Sequence, residues 1–194
     1  MNPAYRKTGK WLSYILRHHP ETIGIRLDAD GWVAVETLLQ QAQAHGQDLS
    51  RPLLAAVVAH DDKQRFTFSA DGRQIRAAQG HSTAQVVMRL PEACPPALLY
   101  HGTARRFLAP IRAQGLLPGS RHHVHLSADT DTARRVGSRH GAPVVLRVDA
   151  AAMQATGHVF YHSDNGVWLT ATVPAVFLQG WPAEDGGEEG GGKI

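Results

Sequence analysis

A chain of 194 residues, 43% hydrophobic, can bury one substantial core or two small ones, and no apolar run in it approaches the roughly 20 residues of a membrane span. A single cysteine, Cys94, excludes an intramolecular disulfide framework, and the opening MNPAYRKTGKW has no secretory signal, so a cytoplasmic location is expected. The net charge of +3 hides an asymmetry: residues 1–80 carry ten Lys/Arg against eight Asp/Glu, residues 81–182 nine against five, and residues 183–194 one against four. The body is therefore basic, which suits a polyanionic partner. The Gly-rich tail 183–194, AEDGGEEGGGKI, has almost nothing to bury and is expected to be disordered.

Residues 1–80 open on a helical run in which Trp11, Leu12, Ile15 and Leu16 share a core-facing side. Arg6, Lys10, Ser13 and Arg17 line another side of the same helix. The run ends in LRHHP at residues 16–20, where Arg17, His18 and His19 suit the negative end of a helix and Pro20 stops it. IRLDADGWVAV reads as strands about an Asp-Gly turn, and VETLLQQAQAHG as a helix closed by Gly46. Ser50 can cap the next helix, LSRPLLAAVVAH, with Pro52 in its first turn. RFTFSADGRQIRA is a hairpin about a second Asp-Gly. Helices followed by a terminal hairpin suggest a winged-helix-like unit.

Proline and polar punctuation in residues 81–97 mark a linker. Beyond it, residues 98–182 are dominated by short strands, ALLYHGT, HVHLS, PVVLRVDA, HVFYHS, VWLT and VPAVFLQ. Two helices, ARRFLAPIRAQG and DTDTARRVG, interrupt them, each ending at glycine. The whole is expected to be α+β, its second half built on two mainly antiparallel, sandwich-like sheets.

Eight of the twelve histidines follow residue 80, the densest run being RHHVHLS. His123 and His125 would share one face of a strand and His122 the other. Two imidazoles do not complete a zinc site, which wants three or four protein ligands, so no metal is expected. Neither a P-loop nor a dinucleotide fingerprint is present. Glycine at position 102, after an apolar strand, permits close backbone approach by a ligand. Asn165-Gly166 in FYHSDNGVWLT is foremost a hairpin signal.

Taken in order, LSYILRHHP, KQRFTFSADGRQIRA, LYHGT, GLLPGSRHHVHLS, VGSRHG, VVLRVDA and GHVFYHSDNGVWLT closely resemble the RNA 2′-phosphotransferase family, from about residue 5 to residue 180. The resemblance implies an N-terminal winged-helix-like lobe and a C-terminal ADP-ribosyltransferase-like lobe. It also implies removal of an internal RNA 2′-phosphate with NAD consumed as co-substrate, in two steps. The RNA phosphate first attacks the anomeric carbon of the nicotinamide ribose and expels nicotinamide. The ribose 2″-hydroxyl then attacks that phosphorus, giving 2′-OH RNA and ADP-ribose 1″,2″-cyclic phosphate.

On this resemblance Arg17, Arg65 and Arg121 clamp the phosphoryl group, for which guanidinium forks are suited, and His18 is the general acid/base of the second step. His101, Gly102 and Thr103 match the strand motif that receives the nicotinamide side of NAD, and His125 and Ser127 the second motif strand. Arg139 and His140 are assigned to the ADP portion, while Phe160, Ser163 and Asn165 fall in the third motif near the same pocket. Protein-modifying relatives of this fold use a late glutamate, and none stands between Glu92 and Glu184. Nothing calls for an obligate protein partner or a membrane.

Two other readings stay open. An ADP-ribosyltransferase that stops after the first step would cap terminal phosphates of nucleic acids, and a stalled adduct would mark it. A non-catalytic winged-helix nucleic-acid binder would use Arg6, Lys10 and Arg17 as phosphate contacts and bind duplex without turning over NAD.

Overall fold

A computed structural model describes residues 3–182, so the acidic tail expected to be disordered lies outside the described residues. The first helix, α1 (Pro3–Arg17), buries Gly9, Leu12, Ile15 and Leu16 along one side. Pro20 begins a single 3-10 turn, Pro20–Ile23, which ends at Gly24 in the left-handed region (φ 70°). Strand β1 (Val33–Ala34) runs straight into α2 (Val35–Ala44). That helix closes as its glycine predicts: Gln47 N–H donates to the Ala42 carbonyl at 2.9 Å and Gly46 N–H to the Gln43 carbonyl at 3.0 Å. Helix α3 (Arg51–Ala59) is capped by Ser50, whose side chain accepts from Leu53 N–H.

Strands β2 (Phe66–Phe68) and β3 (Gln74–Ala77) form the expected hairpin, and the sheet order is β1-β3-β2, all antiparallel. The IRLDADGWVAV hairpin does not form. The Asp28 carboxylate accepts from the backbone N–H groups of Asp30 (2.9 Å) and Trp32 (2.8 Å), turning the chain so that Val33 pairs with Ile75 of β3 instead. The core beneath joins Leu12, Ile15 and Leu16 to Val35, Leu38, Leu54 and Ile75, and it also takes in Val86 and Met88. The first core thus draws on the segment that composition marks as a linker.

A second core, around Leu99, Leu126, Leu146, Met153 and Phe160, belongs to the later residues. In chain order these form β4 (Leu98–Ala104), α4 (Leu108–Gln114), β5 (Val124–Leu126), α5 (Thr130–Gly137), β6 (Pro143–Asp149), α6 (Ala150–Ala155), β7 (Phe160–His162), β8 (Trp168–Thr170) and β9 (Leu178–Gln179). They build two three-stranded antiparallel sheets, β4-β6-β9 and β5-β8-β7. Tyr100 and Ser127 join the sheets by reciprocal backbone bonds of 2.9 and 2.8 Å. The α+β class is as expected.

Two local readings are corrected. Helix α6 was not expected; Asp149 ends β6 and also caps α6, its carboxylate accepting from Ala152 N–H. VPAVFLQ is mostly a 3-10 turn, Ala175–Phe177, with only Leu178–Gln179 in the sheet. Where the cores meet, Arg76 of β3 donates to Asp164 at 2.8 Å, and Asn165 Nδ2 donates to the Lys63 carbonyl at 3.1 Å. The β7–β8 turn therefore docks on the N-terminal unit.

Candidate active site

The end of α1 delivers Arg17 into the junction between the cores. Its carbonyl accepts from Ser82 N–H at 2.9 Å, fixing the backbone. Its Nε and Nη2 are closed off from solvent and have no hydrogen-bond partner. Burial is the largest cause holding its pKa down to about 10, followed by the charges of Arg121 and Arg65, while Asp61 opposes them. A buried guanidinium with unmade bonds and like charges for neighbours is costly alone and suited to a multiply charged oxyanion.

His18, next along, engages Ser82 Oγ through Nδ1 at 2.9 Å, leaving Nε2 for proton transfer. Burial, then the charges of Arg17, Arg121 and His19, push its pKa below the ordinary histidine value. Arg65 is held differently. Its Nε and Nη2 donate to the buried Asp61 carboxylate at 3.0 and 2.6 Å, and its backbone N–H donates to the same group at 2.7 Å. Burial pushes the Asp61 carboxyl up, but the side-chain and backbone bonds from Arg65 outweigh that and leave it below the usual carboxylate range. Arg121 stands on the loop before β5; burial, then Arg139, lowers its pKa. The charges of Arg121 and Arg65 thus act on Arg17, and those of Arg17 and Arg121 on His18.

On the C-terminal side, His101 of β4 donates from Nδ1 to the His125 carbonyl at 3.2 Å, which leaves its Nε2 as an acceptor. His125 of β5 donates from Nε2 to Gln79 Oε1 at 2.6 Å. Burial, then Arg121 and Arg17, press its pKa down to about 3, so the ring is neutral at pH 7. A Cβ at Gly80 would make ordinary contact with Arg17 Nη1 (3.7 Å) and His125 Nε2 (3.8 Å), so the two edges meet at this residue, whose φ of 88° is what favours glycine. Thr103 is buried on β4, and Ser127 makes the backbone bridge to Tyr100. Arg139 and His140 lie on the 3-10 turn after α5; Arg139 is close enough to Arg121 and Lys63 to lower both, and His140 meets Phe107 edge-on.

Several expected roles change. The space a side chain at Gly102 would need is filled by the α5 backbone at Ala133 and Gly137, and a side chain at Gly137 would in turn strike Thr103. Helix packing, not ligand approach, explains that glycine. Phe160, expected at the cofactor, is among the largest fully buried side chains and sits in the second core. Ser163 is also buried; its Oγ bridges Asn165 Oδ1 and the Val167 carbonyl, both at 2.9 Å, inside the docking turn. His122 does not stand apart from His123: both line the same groove beside β5. His123 precedes the strand and packs edge-on against Tyr161 at 5.4 Å. Among the described residues no three His, Cys, Asp or Glu side chains gather as a metal site.

Sequence reasoning missed Asp61, Gln79, His81 and Ser82. Asp61 alone left a signal, its i, i+4 spacing from Arg65. His81 is buried with both ring nitrogens unpartnered, and burial, then the charge of Arg17, lowers its pKa to about 3.

Two guanidiniums, Arg17 and Arg121, press on the His18 imidazole, the charge of Arg65 adds to theirs at Arg17, and two buried Arg17 donors are unpaired; such a cleft suits a phosphoryl group. The class it suits is a phosphoryl-handling enzyme. The chain belongs to the RNA 2′-phosphotransferases: the family model described as "RNA 2'-phosphotransferase, Tpt1 / KptA family" matches residues 4–172. Proteins named "Probable RNA 2'-phosphotransferase" are similar to it. That of Pseudomonas aeruginosa (strain UCBPP-PA14) is 55% identical over 172 residues, covering 89% of this chain and 94% of its own. That of Burkholderia lata is 55% identical over 177 residues, 91% of each. One from Escherichia coli O139:H28 is 56% identical over 172 residues, covering 89% and 94%. The chain is accordingly an enzyme of that transferase class. No helix among the described residues is long and apolar enough to cross a membrane.

Proposed function

We propose that this enzyme, acting in the cytoplasm, removes an internal 2′-phosphate from RNA by transferring it to NAD, releasing 2′-OH RNA, nicotinamide and ADP-ribose 1″,2″-cyclic phosphate. The observation that carries the reading is Arg17, whose Nε and Nη2 are buried, unpaired and flanked by Arg65 and Arg121. We read the first core as the winged-helix-like lobe and the second as the ADP-ribosyltransferase-like lobe.

NAD supplies the electrophilic anomeric carbon and the 2″-hydroxyl; the chain supplies position, charge and a proton carrier. Arg17 offers its guanidinium to phosphoryl oxygens, and Arg121 neutralises charge from the C-terminal side. Arg65 arrives pre-set by Asp61. His18, oriented through Ser82, takes the proton of the attacking 2″-hydroxyl at Nε2 and returns it to the departing RNA 2′-oxygen. The neutral His101 Nε2, Thr103 and Ser127 form the nicotinamide-side wall, with Gly102 contributing main chain only, and Arg139 and His140 face the ADP end. Ser163 and Asn165 keep this wall in place through the docking turn.

The test is mass-spectrometric product analysis of a 2′-phosphorylated RNA oligonucleotide incubated with NAD. Release of 2′-OH RNA together with ADP-ribose 1″,2″-cyclic phosphate is expected. A stalled RNA–phospho–ADP-ribose adduct in the wild type would assign the chain to terminal capping, and unchanged RNA would remove the proposal.

A further inference from the structure

The groove shared by His122 and His123 lies outside every role assigned above. It encloses about 600 Å³, within the range of small-molecule sites, and its lining includes His122, His123, Tyr161, Val87, Met88 and Arg89. The β5-β8-β7 register explains its position. His125, Leu169 and Tyr161 pair across the three strands and so point to one face, while Val124, Thr170 and Phe160 point into the core. His125 stands at the Arg17 end of that row, and Tyr161 stands at the groove.

A small cavity of about 20 Å³ lies between them. It is lined by Gln79, Gly80 and His125 on one side and shares His122, His123 and Met88 with the groove. The groove thus adjoins, across these shared side chains, the His125 edge of the cleft. Its walls are apolar and aromatic: Val87 is 63% exposed, and the His123 and Tyr161 rings meet edge-to-face. Arg89 supplies the cationic share. Glu92 also lines the groove, where its backbone pairs with that of Tyr161.

We infer that this groove is a subsite for the nucleobase of the RNA nucleotide flanking the 2′-phosphate, held by stacking on the His123–Tyr161 and Val87–Met88 walls. The inference rests on the reading of the cleft as an RNA phosphate site. Unpaired bases are recognised in this manner, by aromatic and apolar faces with cations along the backbone. A duplex is not the expected occupant, because its bases are stacked on one another.

Fluorescence anisotropy with a short single-stranded 2′-phosphorylated RNA decides the matter without turnover. Tyr161→Ala and His123→Ala should each weaken binding about tenfold, the size of one lost base–aromatic stack. Val87→Glu, at an exposed position away from the core, should do the same by placing a carboxylate on the wall. An otherwise identical RNA lacking the flanking base should bind the wild type about tenfold more weakly, and the variants should then lose little more. Wild-type RNA affinity in Val87→Glu and in the folded ring variants would overturn the subsite. So would a rise confined to the KM for NAD, which would give the groove to the dinucleotide. An inactive wild type that still shows this base-dependent binding would instead overturn the proposed reaction and leave the subsite standing.

Discussion

Along the N-terminal edge of the cleft Arg17 and Arg65 set charge beside a neutral His18, whereas the C-terminal edge, Arg121 and Arg139 apart, offers main chain and imidazoles that burial keeps neutral. The contrast extends to how each group is held. Arg65 has a buried carboxylate partner and needs no ligand to be satisfied. Arg17 has two donors with nowhere to go. His101 and His125 are fixed by hydrogen bonds to neutral acceptors, His101 to the His125 carbonyl and His125 to Gln79 and the His123 backbone. One edge therefore stores an electrostatic demand that only an anion meets, and the other provides a rigid wall that makes no such demand.

The largest expected effect lies on the wall. Gly102→Val drives a side chain into the α5 backbone and should abolish the folded state, or lower Tm by more than 10 °C, an order-of-magnitude figure for a core overpacked against main chain. Circular dichroism melting reads this, and a folded variant with unchanged Tm and selectively weakened NAD binding would restore a ligand-contact role to that glycine.

On the other edge, Arg17→Ala should reduce release of 2′-OH RNA by about 10²–10³-fold, with the RNA–phospho–ADP-ribose adduct accumulating, while Tm holds or rises because an unsatisfied buried group is gone. Arg17→Lys should rescue little, since a point charge does not reproduce a fork. Single-turnover kinetics beside thermal melting separates these outcomes, and full activity in the alanine variant would break the contrast.

Asp61→Asn should behave in the opposite manner, losing stability as well as rate. Breaking the pair is expected to cost about 2 kcal/mol and to slow turnover about tenfold through a loosened Arg65. Because the folded-state pKa of Asp61 is lowered, its stabilisation is complete above the unfolded carboxyl value and is lost as pH falls through the lower folded value. Urea unfolding across that acid range should show this limb in the wild type and not in the variant.

The smallest effect is a titration. Free His18 sits below its ordinary pKa, burial first and Arg17 next, so it is neutral at pH 7. A bound phosphate offsets the guanidinium charge and should raise that pKa, so binding takes up a proton and anion affinity falls as pH rises through the bound-state value. NMR titration of the His18 ring with and without a 2′-phosphorylated nucleotide checks the sign.

What could be read from residues alone was what local chemistry dictates. Pro20 stopped α1, Asp71-Gly72 turned the hairpin, Gly46 closed α2, and alternation in the later residues announced two small sheets. The resemblance groups Arg17, His18, Arg65 and Arg121; in the structure the charges of Arg121 and Arg65 act on Arg17, and those of Arg17 and Arg121 on His18. What failed was non-local. The reason for Gly102 lies on α5, the partner of Val33 is Ile75 rather than a neighbour across a turn, and the reach of His125 to Gln79 spans both cores. Phe160 looks the same in a strand motif whether its ring meets a ligand or a core. Asp149-Ala-Ala-Ala, by contrast, carried a legible cap that the strand pattern before it obscured.

The β7–β8 turn has a mechanical consequence. Asp164 and Asn165 at its tip seize Arg76 and the Lys63 carbonyl, so a short loop acts as a strut between the two halves. Lengthening or shortening that strut by a residue would reset the width of the gap, and with it the girth of nucleic acid able to enter, while leaving every reactive group chemically intact.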